Sequence, residues 1–127
     1  GGNLQVKSGS GATIASKASP DSPDAVALPQ RYALSQNWPN PFNPSTSIRF
    51  DLPEDSHVRL VVYDALGRQV VELVNGTRSA GMYQELWQGR DASGRAVPSG
   101  VYFAHIEAAS VMGAGNLSST RKMLLLQ

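Results

Sequence analysis

The chain has 127 residues, a formal net charge of +1 and no cysteine. That length suits one domain with a tail, and the charge balance gives no global field to draw nucleic acid or an anionic membrane. Without cysteine, disulfides, thiol catalysis and cysteine metal sites are excluded, and no run approaches the roughly 20 apolar residues of a membrane helix.

The chain opens on Gly1-Gly2 with no initiator methionine and no basic-then-apolar leader, which suggests a processed piece of something longer. Residues 1–28 are rich in Gly, Ser, Ala and Pro, as in Ser8-Gly9-Ser10-Gly11 and Ser19-Pro20-Asp21-Ser22-Pro23-Asp24. Such a stretch buries too little apolar surface to offset its ordering entropy. It reads as a flexible linker, with a short strand around Leu4 to Val6 as the alternative. The domain is expected over 29–127.

Tyr32 to Ser35 fits a first short strand. Then comes Asn37-Trp38-Pro39-Asn40-Pro41-Phe42-Asn43-Pro44. Three prolines remove three backbone donors and fix φ, and each pushes the residue before it toward extended geometry. Helix and central strand are excluded, which leaves a stiff extended loop carrying two large aromatic side chains. Both Trp38 and Phe42 are expected to cap one end of the core.

Thr46 to Leu52 alternates, with Ile48, Phe50 and Leu52 inward and Arg49 and Asp51 outward. Pro53 to Ser56 is a turn, and His57 to Tyr63 is a strand with Val58, Leu60 and Val62 on one face. Asp64-Ala65-Leu66-Gly67-Arg68 is a turn in which Asp bonds its own backbone and Gly67 supplies φ > 0. Gln69 to Val74 is a strand, ended by the turn dipeptide Asn75-Gly76. Gly81 to Trp87 follows, with Tyr83 and Trp87 inward. Glu85 shares that parity, so a bulge or an edge position is required. Asp91-Ala92-Ser93-Gly94-Arg95 repeats the earlier turn chemistry. Val101 to Ala108 is a long strand with Tyr102, Ala104 and Ile106 on one side, Val111 to Asn116 a connection, and Leu117 to Leu126 the last strand. About seven short strands with turn signals every 8–12 residues predict an all-β, immunoglobulin-like sandwich of antiparallel strands.

Chemistry is sparse along this chain. His57 and His105 have outward parity and no metal-ligand spacing. Asp64 and Asp91 read as turn-formers. No G-x-S-x-G elbow and no phosphate loop is present, and the arginines are scattered singly. No catalytic, cofactor or metal residue is assigned. Trp38, Phe42, Tyr83, Trp87 and Tyr102 are expected to pack; read instead as a sugar platform, they make a carbohydrate-binding accessory module of a glycoside hydrolase one alternative reading, with a passive structural spacer another.

Several ordered segments carry a family resemblance: Leu34 to Thr46 with Ile48-Arg49-Phe50, Val62-Tyr63-Asp64-Ala65-Leu66-Gly67-Arg68, Trp87-Gln88-Gly89-Arg90-Asp91, Pro98-Ser99-Gly100-Val101-Tyr102-Phe103, and Arg121-Lys122-Met123-Leu124-Leu125-Leu126. Together they resemble the type A C-terminal sorting domain of the bacterial type IX secretion system. The middle portion also resembles the immunoglobulin-like domain of flagellar hook-capping proteins. The sorting-domain resemblance implies a non-enzymatic module at the C-terminus of an exported protein, often a hydrolase, destined for the cell surface or medium. Its implied partners are the outer-membrane translocon, a sortase-like peptidase and, after cleavage, lipopolysaccharide. Nucleic acid is not among them, and a monomer is expected. Gln127 departs from the common terminal lysine or arginine, and Gln88 from a frequent aspartate. Residues 121–126 are the expected recognition segment, reached by strand addition or by a groove if the last strand lies at a sheet edge. The proline loop is expected at the opposite end, as a folding element.

Overall fold

A computed structural model describes residues 27–127. The expected linker, apart from Ala27 and Leu28, and the alternative strand at Leu4 to Val6 lie outside the described residues. Seven strands form: β1 (Ala33–Leu34), β2 (Thr46–Leu52), β3 (Ser56–Asp64), β4 (Gln69–Arg78), β5 (Gly81–Trp87), β6 (Gly100–Ser110) and β7 (Asn116–Leu125). They make a three-stranded sheet ordered β1-β2-β5 and a four-stranded sheet ordered β4-β3-β6-β7. All strand pairings are antiparallel. This is the immunoglobulin-like sandwich that the alternation predicts.

The core follows from that alternation. Ile48, Phe50 and Leu52 of β2 face Val58, Leu60 and Val62 of β3 and Ala104, Ile106 and Ala108 of β6, all in one buried cluster. Val61 is also buried, although its parity is outward; it lies outside the core cluster, opposite Glu72 and His105 and beside a register shift between Leu60 and Val61. Glu85 needs no bulge. The β2–β5 register runs without a break, and β5 is an edge strand, so the Glu85 carboxylate reaches water from a half-buried position.

One predicted turn is corrected. Asn75-Gly76 is not a reversal but part of β4, pairing with Arg59 and Val58. A tight hairpin turn there would need φ > 0 at both residues, and Gly76 is not in that region. Pairing along the nine residues of β3 carries β4 on to Arg78, opposite Ser56. The chain reverses instead at Ser79-Ala80. There Asp55 Oδ1 accepts from the Ala80 amide at 2.9 Å and the Ser79 carbonyl accepts from the Tyr83 hydroxyl at 2.6 Å.

The twin turns are built alike. Gly67 and Gly94 take φ of 81° and 87°. In each, the Asp Oδ1 accepts from backbone amides two and four residues on, Leu66 and Arg68 for Asp64, Ser93 and Arg95 for Asp91. Asp64 also bonds the Arg68 guanidinium, and Asp91 the Ser93 hydroxyl. The Arg68 amide is the first cause holding the Asp64 carboxyl below its ordinary value; for Asp91 the Ser93 hydroxyl comes first and the Arg95 amide adds to it.

A pH dependence follows from these two carboxylates. A depressed folded value means stabilisation that is complete above the unfolded carboxylate range, about 3.9 for Asp, and that is lost as pH falls through the folded value. Urea midpoints should therefore drop as pH is lowered from about 4. The drop should be shallower in an Asp64→Asn/Asp91→Asn double variant, and equal slopes would contradict the assignment.

Candidate functional site

The last strand and the proline loop, expected at opposite ends, lie against each other. β7 is an edge strand of the larger sheet, but its outer edge is occupied from Lys122 to Leu126. The Gln36 side-chain amide donates to the Lys122 carbonyl at 2.8 Å, and the Leu124 amide donates to Asn40 Oδ1 at 3.0 Å. The Phe42 amide donates to the Leu124 carbonyl, and the Leu126 amide to the Phe42 carbonyl, both at 2.9 Å. Phe42 thus makes a short parallel bridge to β7. Strand addition therefore has no free edge along this half of β7. The chain has covered the exposed edge with its own loop.

The loop is able to do this because side chains replace the donors its prolines lack. Asn37 is buried; its amide donates to the Pro39 carbonyl and to Thr46 Oγ1, and the Thr46 hydroxyl donates to the Pro39 carbonyl. Pro39, Pro41 and Pro44 follow cis peptide bonds, and Asn40, Pro41, Asn43 and Pro44 are exposed.

The two aromatics of the loop part company. Phe42 is buried and packs on Trp87, ring centroids 5.5 Å apart; Trp87 in turn meets Tyr102 edge-on at 5.2 Å. Burial, with the Asp64 charge second, holds the Tyr102 phenol above its ordinary value, and its hydroxyl donates to the Pro98 carbonyl at 2.6 Å. Trp38 does not cap the core: it is 78% exposed. It bridges Ser47, whose side chain has outward parity on β2. Residues directly opposite one another project to the same face, so the indole is turned away from the core.

The six C-terminal candidates split by parity as well. Met123 and Leu125 are fully buried in the core. Arg121 Nε donates to the Leu34 carbonyl at 2.9 Å and ties β7 to β1 across the open side of the sandwich. Lys122, Leu124 and Leu126 have the other parity. Lys122 and Leu124 lie in the rows of Phe103 and Val101 on the outer face of the larger sheet, and Leu126 is half exposed. Gln127 is held too, its side-chain amide donating to the Val97 carbonyl at 2.7 Å and its backbone amide to Ser99 Oγ at 2.8 Å.

The signature turns lie elsewhere. Asp64, Arg68 and Asp91 line one shallow depression, beside the bond from the Ala92 amide to the Val70 carbonyl, while Gly67 and Gly94 are not part of its lining. The Asp64 carboxylate is engaged within its own turn. Gly100 opens β6, and Tyr102 belongs to the core. No group of three potential metal ligands occurs among the described residues.

Gly89 was not legible as important. It is buried at φ +68°, and a Cβ there would lie 3.0 Å from the Pro44 carbonyl oxygen and 3.5 Å from Leu125 Cδ2. It is the point where the end of β5, the proline loop and β7 converge. Its sequence cue was its place two residues after Trp87, within the Trp87-Gln88-Gly89-Arg90-Asp91 motif.

The family model of the FlgD Ig-like domain matches residues 37–111. Among solved structures, dimeric latent PorU from Porphyromonas gingivalis is similar, with a TM-score of 0.57 at 21% identity over 75% of this chain and 9% of that one. FlgD from P. aeruginosa aligns at TM-score 0.50 and 27% identity over 63% of this chain and 59% of that one. FlgD from Xanthomonas campestris, solved for insight into the hook capping essential for flagellar assembly, aligns at TM-score 0.53 and 19% identity over 73% of this chain and 66% of that one. The chain therefore spans less than two thirds of the length of the first two and 66% of the third. No curated protein matches it.

Proposed function

The chain belongs to the FlgD Ig-like domain family, and from that premise we propose that it is a non-catalytic sorting module of a larger exported bacterial protein, read by the type IX outer-membrane secretion machinery. The ordered motifs from Leu34 to Leu126 support that reading over a flagellar one. The cargo in this reading is a secreted hydrolase bound for the cell surface, released from the module by a sortase-like peptidase and joined to lipopolysaccharide.

The observation that carries the proposal is the parity of β7. Its buried residues and Arg121 are committed to the fold, so recognition falls to Lys122, Leu124 and Leu126. Residues 36–42 cover the edge, so the receptor meets the outer face of the sheet and not a free strand. A cation followed by two leucines gives that face one charged and two apolar contacts.

Deleting residues 121–127 is a poor test, because it removes Met123 and Leu125 from the core. Substitution of the outward residues is the sharper one. Lys122→Glu and Leu126→Asp, each in a reporter fusion expressed in a host with the machinery, should leave the reporter in the periplasm. Their stabilities should stay within about 0.5 kcal/mol of the parent, as for ordinary surface changes. Surface display equal to the parent's would overturn the reading and favour a passive spacer.

A further inference from the structure

The outer face of the smaller sheet is untouched by the sorting reading. Trp38, Ser47 and Leu86 form one lateral row across it, through the Trp38–Ser47 bridge and the Ser47–Leu86 pair. Two residues along β2 and β5 lie Arg49 and Gln84, and beyond them Asp51 and Met82. Trp38, Leu86 and Met82 are 78%, 54% and 48% exposed. Adjacent strands lie about 4.8 Å apart, so the indole and the Leu86 side chain stand roughly 10 Å apart with only a serine between them. The Trp38 backbone is held on both sides, its amide donating to the Ser47 carbonyl at 3.0 Å and its carbonyl accepting from the Ser47 amide at 2.8 Å. This is an indole on a fixed backbone, left in water on the face that also carries Ser47, Gln84 and Arg49, whose guanidinium lies 3.6 Å from Met82 Sδ.

We propose that this face binds a flat, β-linked glycan, one pyranose ring stacking on Trp38 while Ser47, Gln84 and Arg49 take its hydroxyls. The area decides against a protein partner or a second copy. An indole of this exposure offers roughly 200 Å². With Leu86 and Met82 the face stays within the few hundred Å² of an ordinary monomer patch, well short of the roughly 800 Å² per partner of a standard interface. A pyranose with equatorial hydroxyls fits the remaining description. Its C–H face is apolar and ring-sized, its rim is polar, and it carries no charge that a near-neutral surface would have to match.

The test is co-sedimentation of the 127-residue chain with microcrystalline cellulose and with chitin, alongside fluorescence titration with cellohexaose and chitohexaose. Only two tryptophans are present. Trp87 is buried with its indole N–H bonded to the Arg90 carbonyl, so an emission shift reports Trp38. The expected result is saturable depletion by at least one polysaccharide and a blue shift with its oligosaccharide. Trp38→Ala should weaken binding roughly tenfold or more while the domain stays folded, its thermal midpoint moving by no more than a few degrees, Trp38→Tyr should retain most of the binding, and Leu86→Asp should weaken it less. No depletion by either polysaccharide, or equal depletion by Trp38→Ala, overturns the proposal. So does a Trp38-dependent shift to a dimer in sedimentation velocity, which would give the face to a second copy.

Discussion

Replacing Phe42 by alanine should cost about 3–5 kcal/mol, the range for a buried phenylalanine, while replacing Trp38 four residues earlier should cost less than about 1 kcal/mol. The two residues sit in the same loop and differ in what they touch. Phe42 is fully enclosed, stacked obliquely on Trp87, with its amide and carbonyl bonded to Leu124 and Leu126. Removing its ring leaves a cavity between the loop, β5 and the end of β7. Pro41 before it and Pro44 two residues after it restrict φ, so the backbone is poorly placed to collapse into that space. A loss of this size is a large share of the roughly 5–15 kcal/mol that a domain commands. For a described domain of about 100 residues it should lower the thermal midpoint by some 12 °C or more. Urea titration of both variants checks the claim. A cost below about 1 kcal/mol for Phe42→Ala would mean that the loop is not anchored by its aromatic ring.

The strands were readable because alternation is a local property. Ile48, Phe50 and Leu52 declare one face of β2, and Tyr102, Ala104 and Ile106 one face of β6, with no help from the rest of the chain. The Asp64 and Asp91 turns were readable for the same reason, since each closes within five residues. What the sequence did not disclose depends on distant partners. Asn75-Gly76 has the composition of a turn, but β3 pairs with β4 beyond it, and ladder bonds override a two-residue preference. Trp38 has the composition of a core residue, but its bridge to an outward serine sets its direction. The contact between the proline loop and β7 joins residues more than 80 positions apart, and no local pattern encodes it. The candidate recognition segment was visible as a basic-then-apolar run. Which of its members are free became visible only when Met123 and Leu125 were seen in the core and Arg121 on the Leu34 carbonyl.

Gly89→Val and Gly67→Val form a matched pair that should separate backbone strain from the junction that holds the loop in place. Both glycines are left-handed, at φ +68° and +81°. A side chain at either costs about 1–2 kcal/mol for its conformation alone. Around Gly67 nothing lies within 4 Å of an added Cβ, so that cost is nearly the whole effect. At Gly89 the added Cβ would stand 3.0 Å from a backbone oxygen, that of Pro44, and the two valine methyls would press further toward Leu125. Neither neighbour yields readily: one belongs to a proline and the other is fully buried in the core. Overpacking of this kind adds about 1–3 kcal/mol, which brings Gly89→Val to roughly 2–5 kcal/mol against about 1–2 for Gly67→Val. If the loop is what yields, a local signature should accompany the loss. The Leu124 and Leu126 amides, whose acceptors are Asn40 and Phe42 of the loop, should exchange with solvent faster in Gly89→Val. The amides of the β2–β5 ladder should keep their protection, because they do not depend on where the loop lies. Equal destabilisation by the two valines, with unchanged exchange at Leu124 and Leu126, would show that Gly89 contributes only its dihedral angle and that the loop holds to the last strand without it.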